Sequence, residues 1–124
     1  MPIVAIAVVL LCIALIALAL FQLALILGAP FGRFAWGGSD RVLPAKRRVA
    51  SAGAIVLYTI FAVVFILQAG PLPALLVTIL AWVIVAYLAF GTVMNALSRS
   101  PQERLTMTPV SALLTVLGVV VILG

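Results

Sequence analysis

Residues 49–94 read VASAGAIVLYTIFAVVFILQAGPLPALLVTILAWVIVAYLAFGTVM. The stretch consists of two uncharged apolar runs, 49–69 and 74–94, separated only by the tetrapeptide GPLP at 70–73. A helix needs about 20 apolar residues to cross the hydrocarbon core of a bilayer, and each run has that length. A glycine followed by prolines ends one helix and permits the next to begin. The segment therefore predicts two membrane-spanning helices joined as a tight antiparallel hairpin.

The rest of the 124-residue chain is equally apolar. In total 68% of its residues are hydrophobic and only 7% are charged, with a mean hydropathy of +1.50. Soluble domains carry about 45–50% apolar and about 25% charged residues, so a water-soluble domain is excluded, and disorder requires the opposite composition. Two further apolar runs, 3–27 and 105–123, complete a set of four spans. We expect an all-α polytopic membrane protein, a single domain over 1–124 with four transmembrane helices in an antiparallel bundle.

The charged residues indicate how this bundle is oriented. All seven basic and both acidic residues fall within 33–48 and 99–104, which belong to the connections 28–48 and 95–104. These two connections lie on the same side of the membrane if the chain crosses it four times. Basic residues that flank spans stay in the cytoplasm. We therefore expect both connections in the cytoplasm and the N- and C-termini outside, and we attribute the basic excess to topology rather than to nucleic-acid binding.

The first connection has aromatic residues that suit the membrane surface. It reads GAPFGRFAWGGSDRVLPAKRR and is too long for a simple turn. Aromatic rings prefer the level of the lipid headgroups. We therefore expect Phe31, Phe34 and Trp36 to act as interfacial anchors.

The same connection supplies candidate contacts for anionic groups. The connection contains Arg33, Arg41 and Arg48. It also contains four glycines near Arg33 and Arg41, whose main-chain amides can approach a phosphate or carboxylate closely. We expect these arginines to contact anionic lipid headgroups or an acidic group of a partner. Solvated charge with a purely topological role, on an inert loop anchored by its aromatic residues, is the alternative.

The second connection contains a helix-start signal. Ser100, Pro101 and Glu103 stand at the N-cap, N1 and N3 positions of a capping box, in which the serine and glutamate side chains accept hydrogen bonds from free amides. A helix is predicted to begin at Pro101, with Pro109 bending or breaking it on entering the membrane. Glu103 and Arg104 are expected to form a solvated pair at the interface, which contributes little stability.

The spans have few groups that could perform chemistry. No Asp, Glu, Lys, Arg or His lies inside any of the four runs, whereas coupled transporters and embedded hydrolases use ionisable groups at that depth. A single cysteine, no histidine and two separated acids cannot form a metal coordination shell. We predict no catalytic residue, no cofactor and no metal. Gln22 and Asn95 are predicted to make polar contacts between helices within the membrane.

Both connections show a resemblance to a known group of proteins. The matching elements are GAPFGR at 28–33, GG at 37–38, LP at 43–44, Arg48, and the spaced residues Asn95, Ser98, Ser100, Glu103, Arg104 and Pro109. They resemble the loop motifs of an uncharacterised family of small bacterial four-span inner-membrane proteins, which has Trp where this chain has Phe31. The resemblance implies a multi-pass protein of the bacterial cytoplasmic (inner) membrane and implies no reaction.

These observations leave three classes of function. We expect a non-enzymatic accessory or interaction subunit. The alternatives are an oligomeric passive channel or small-solute pathway, and a lipid-binding protein or embedded enzyme that acts from the connection 28–48. The expected partners are the lipid bilayer, anionic lipids in particular, and a homo-oligomer or larger membrane complex.

Overall fold

The computed structural model describes residues 2–124, and four long helices dominate it. Each helix is long and apolar enough to cross a membrane. The predicted fold class is confirmed: the chain is a multi-pass, all-helical membrane protein. The helices are α1 (Pro2–Ile26), α2 (Ala45–Gln68), α3 (Leu75–Ala96) and α4 (Pro101–Leu123), with two short 3-10 turns, Gly32–Phe34 and Trp36–Gly38, between α1 and α2.

Helix α2 begins earlier than the apolar run that predicted it. Its first residue is Ala45, and Pro44 is the N-cap residue with extended backbone angles. The basic residues 46–48 therefore form the first turn of α2 instead of belonging to the connection. Pro44 directly precedes the helix, because its extended ψ of 165° lies outside the helical range.

Helix α4 begins at Pro101, as predicted, and continues through Pro109 to Leu123 without interruption. A break at Pro109 is therefore wrong, and the other predicted outcome, a bend at this residue, stays a prediction. A proline removes one backbone hydrogen bond, but membrane helices tolerate this loss where neighbouring groups satisfy the freed carbonyl.

The four helices pack as a ring in chain order. Helix α1 contacts α2 and α4, α3 has its largest contact with α4, and α2 touches α4 across the ring. Among neighbouring helices, α2 and α3 share the smallest contact. We call the end that holds the residues 27–44 and 97–100 the charged end, and the end that holds the turn 70–73 the uncharged end.

The hydrophobic core fills the middle of the bundle and its uncharged end. Phe65 is fully buried there, and Leu11 and Leu114 are almost fully buried. Gly118 lets α4 approach closely, because a Cβ at this position would lie 3.0 Å from Val85 Cγ2 and 3.1 Å from the Phe65 ring. Close approach at small residues is a general feature of helix packing in membranes.

Candidate functional site

The first connection folds back onto the charged end of the bundle. Ser100 Oγ at the start of α4 donates a hydrogen bond to the Arg33 carbonyl, and Gly38 packs directly on the Ser100 side chain. A second hydrophobic cluster of Leu25, Ala35 and Leu43 holds the connection to the end of α1. The connection therefore forms a fixed cap on the bundle.

Glycine is required at two positions of this cap. Gly38 has a φ of +71°, and a Cβ there would overlap the Ser100 side chain. At Gly32 a Cβ would overlap the Asp40 carbonyl, because the Gly32 N–H donates to the Arg41 carbonyl at 2.8 Å. Only a residue without a side chain permits these approaches.

Of the three expected anchors, only Phe31 projects outward. Its side chain is 48% exposed. Phe34 is half-buried and lines a cavity inside the bundle. Trp36 is also half-buried, and its Nε1–H donates to Oγ of the fully buried Ser51 at 3.0 Å. The indole N–H of Trp36 therefore ties the cap to a buried partner inside the bundle, and its role as an interfacial anchor stays a prediction.

The three candidate arginines have different surroundings. Arg48 donates from Nε to the Leu43 carbonyl at 2.7 Å and from Nη1 to the Ile26 carbonyl at 3.4 Å. It thus closes the connection and caps the C-terminal end of α1, where a cation is favoured. Arg48 is a structural clamp in this fold, and its contact with a lipid headgroup or a partner stays a prediction.

Arg33 and Arg41 remain at the surface. Both side chains are exposed. Arg33 Nη1 donates to the Gly38 carbonyl at 2.7 Å, so part of this guanidinium holds the cap in shape. Arg33 also lines an outer groove of about 450 Å³ together with Arg99.

The serine half of the predicted capping box is present. Ser100 is the N-cap of α4, and its Oγ accepts from the Glu103 N–H at 3.5 Å. The glutamate half is absent, because the Ser100 N–H donates to Ser98 Oγ at 3.2 Å instead.

The Glu103 carboxylate turns toward the cap. It accepts from the Gly37 N–H at 3.4 Å, and the residue is only 8% exposed. Arg104 is exposed and donates to the Ser98 carbonyl at 3.1 Å. The predicted solvated pair of Glu103 and Arg104 is therefore wrong: the folded cap buries the carboxylate and supplies its donor.

A cavity of about 610 Å³ lies beneath this cap, in the half of the bundle nearest the charged end. All four helices and the cap contribute to its walls, which are mostly apolar. Its exposed wall residues on α3 include Tyr87, Phe90 and Met94. Because α2 and α3 share the smallest contact of any neighbouring pair and the wall residues Tyr87 and Phe90 are exposed, we infer that the cavity is a cleft that opens sideways between these two helices.

The inner end of the cleft is closed. Leu88 and Leu114 are buried at its wall, and the core cluster fills the bundle beyond them. The Phe61 and Tyr87 rings meet edge to face at a centroid distance of 5.6 Å and join α2 to α3. Toward the uncharged end, Thr78 Oγ1 donates to Gln68 Oε1 at 2.8 Å and holds the same two helices together.

The two predicted intramembrane polar residues both line the cleft and both bond between helices. Asn95 Nδ2 donates to Ser111 Oγ at 3.1 Å and to the Met107 carbonyl at 3.3 Å, which joins α3 to α4. Gln22 Nε2 donates to the Tyr58 hydroxyl at 3.5 Å, which joins α1 to α2. Gln22 Oε1 is buried and has no hydrogen-bond partner among residues 2–124.

The cleft has few groups that could hold a metal ion or carry a charge. Within residues 2–124, no group of three or more His, Cys, Asp or Glu side chains could hold a metal ion. The charged residues in the wall are Arg99 and Glu103, both close to the cap. Comparison with protein-family models, curated proteins and solved structures finds no match for this chain. Fold and site together define a small polytopic membrane protein with a lateral cleft at one end of its bundle.

Proposed function

We propose that this protein binds one lipid-like amphiphile in the cleft, taken up sideways from the bilayer. The observation that carries the proposal is an apolar cavity walled by all four candidate membrane-spanning helices, and we infer its opening from the small contact between α2 and α3. Ligand sites in proteins typically enclose about 300–1,000 Å³ and combine apolar walls with a few polar groups. The cleft, at about 610 Å³, has both properties.

The distribution of wall residues favours an amphiphile over a purely apolar molecule. Apolar side chains such as Leu57, Met94 and Leu114 offer a surface for an acyl or isoprenoid chain. Arg99 and Glu103 lie at the cap and face the polar part of the ligand. A lipid that enters with its chain between α2 and α3 can therefore keep its polar group near the membrane surface.

The other two functions expected from the sequence fit the geometry differently. The buried core around Phe65, Ala81 and Leu117 fills the bundle at the inner end of the cleft, so an oligomeric channel or small-solute pathway would have to run between copies of the chain. An accessory subunit remains compatible with lipid binding, since a subunit can hold a lipid for its partner.

We further propose that the charged end faces the cytoplasm of a bacterial cell, in the inner membrane, with both termini outside. The support is the positive-inside rule applied to the basic residues of this end. In this orientation the cleft opens into the cytoplasmic leaflet.

Filling the cleft tests the binding proposal. Gly91 lines the cleft and a Cβ there meets nothing within 4 Å, so Gly91→Phe should occupy the cavity without disturbing the helix contacts. Gly53 on α2 is equally open but exposed outside the cleft, which makes Gly53→Phe the matched control. The probe is a diacylglycerol with a photoactivatable diazirine in one chain, in nanodiscs of dioleoylphosphatidylcholine.

We expect cross-links to concentrate on cleft residues such as Leu57 and Met94 in the wild type and in Gly53→Phe. In Gly91→Phe these cross-links should disappear, while labelling of the outer helix faces persists. Identical labelling patterns in all three proteins would show that no chain enters the cleft and would overturn the proposal.

A further inference from the structure

Gln22 lines the cleft, and only one end of its buried side-chain amide makes a hydrogen bond within the described part of the chain. Its side chain is 6% exposed, and its Nε2 donates to the Tyr58 hydroxyl at the long distance of 3.5 Å. Its Oε1 has no partner within the described chain, residues 2–124. A buried acceptor without a donor is destabilising, so such groups normally have a partner.

The second buried glutamine of the bundle, Gln68, has a hydrogen-bond donor for its side-chain oxygen. Gln68 is 8% exposed, and its Oε1 accepts from Thr78 Oγ1 at 2.8 Å. Gln68 lies outside the cleft, whereas Gln22 forms part of its wall. The unpaired acceptor therefore occurs at the position where a ligand could supply the missing donor.

Tyr58 adds the complementary group. Its hydroxyl accepts the hydrogen bond from Gln22 and keeps its own proton for donation. Gln22 and Tyr58 thus bring one unpaired acceptor and one donor together among the residues that line the cleft. A hydroxyl or an amide group on the ligand matches this pair, because each can donate and accept at once.

The matching group must also be uncharged. Gln22 and Tyr58 lie inside membrane-spanning helices, and their neighbours in the wall include Leu18, Phe21 and Leu57. An ion in apolar surroundings without an opposite charge is strongly disfavoured.

We propose, on the basis of the lipid-binding function above, that the ligand is a neutral lipid with a hydroxyl or amide N–H next to its chains. This group donates to Gln22 Oε1 and accepts from the Tyr58 hydroxyl. A lipid whose only polar groups near the chains are esters or ethers lacks the donor and leaves Gln22 Oε1 unpaired.

Quenching of tryptophan fluorescence can test this preference. Trp36 lines the cleft, and Trp82→Phe removes the second of the two tryptophans, which lies exposed on α3. The probes are dioleoylglycerol with brominated chains and its methyl ether, in which a methyl group replaces the hydroxyl hydrogen and so removes the donor. Each is titrated at low mole fraction into nanodiscs of dioleoylphosphatidylcholine.

We expect half-maximal quenching by the free hydroxyl compound at a mole fraction about tenfold lower than by the methyl ether. Gln22→Leu should abolish the difference between the two probes. Gln68→Leu, which removes the glutamine outside the cleft, should retain it.

The possible failures are distinguishable. If neither probe quenches Trp36 beyond an equal fraction of brominated phosphatidylcholine, the proposed function itself is wrong. Equal quenching by both probes leaves lipid binding in place and overturns the donor preference, as does a preference that persists in Gln22→Leu. Because the probe pair is compared without altering any cleft residue, the test does not depend on whether Gln22→Leu folds.

Discussion

Three successive residues with positive φ shape the cap: Trp36 at +52°, Gly37 at +77° and Gly38 at +71°. The left-handed conformation costs a non-glycine residue about 1–2 kcal/mol. Trp36 accepts this strain while its indole N–H is bonded to buried Ser51. The same backbone geometry presents the Gly37 N–H to the Glu103 carboxylate, so the conformation of three residues ties two distant parts of the chain together.

Adding a methyl group at neighbouring glycines separates strain from contact. Gly37→Ala should destabilise the protein by about 1–2 kcal/mol, because its Cβ meets open space and only the left-handed φ is penalised. Gly38→Ala should destabilise it more, because its Cβ also overlaps Ser100. Thermal unfolding in detergent, followed by circular dichroism, measures both. Equal destabilisation by the two substitutions would show that Gly38 does not pack tightly against Ser100 of α4.

The direction of Glu103 could not be predicted from local sequence. The spacing of Ser100 and Glu103 is that of a capping box, and the serine behaves accordingly. The glutamate finds its donor in Gly37, 66 positions away in the chain. A pattern of four residues contains no information about a contact at that separation.

Helix α4 depends on Ser100 for more than its first turn. The hydroxyl accepts from the Glu103 N–H and donates to the Arg33 carbonyl, so it joins the helix start to the cap. Loss of an N-cap side chain alone costs about 0.5–2 kcal/mol.

Ser100→Ala should therefore lower the free energy of unfolding by about 0.5–2 kcal/mol for the lost N-cap, and further for the lost bond to the cap. It should also increase hydrogen exchange at the Gly37 and Gly38 amides, because the cap loses its tie to α4. Thr106→Ala, an exposed position on the same helix, is the control. Exchange at the cap no faster than in this control would contradict the double role.

The presence of the four helices could be predicted from the uncharged runs of the sequence. The angle between α2 and α3 could not. Apolar runs of the required length predict four helices, and the glycine-proline turn predicts the hairpin. The run beginning at Val49 placed the start of α2 too late, because basic residues continue a helix beyond the hydrocarbon core. The cleft depends on the angle between α2 and α3. Its wall residues, such as Leu57 and Met94, have the same apolar character as residues that face lipid.

The bundle as a whole has charge at one end only, which makes its orientation testable. In a Cys12→Ala background, Leu72→Cys places a thiol in the turn at the uncharged end, where Leu72 is 94% exposed. Ser39→Cys places one on the exposed surface of the cap. A membrane-impermeant maleimide should label Leu72→Cys in intact cells and Ser39→Cys only after permeabilisation. Labelling of Ser39→Cys in intact cells would show that the charged end faces outside, opposite to the proposed orientation.

The hydrogen bond between Thr78 and Gln68 joins α3 to α2 close to the first residue of α3, so most of that helix lies on one side of the bond. From Thr78 to Asn95 the α3 helix extends about 25 Å, at about 1.5 Å per residue. A rotation of about 5° about this hydrogen bond would displace the far end of the helix by about 2 Å on this geometry. A small rigid-body rotation of α3 would therefore be enough to change the aperture between α2 and α3, without a hinge in the backbone.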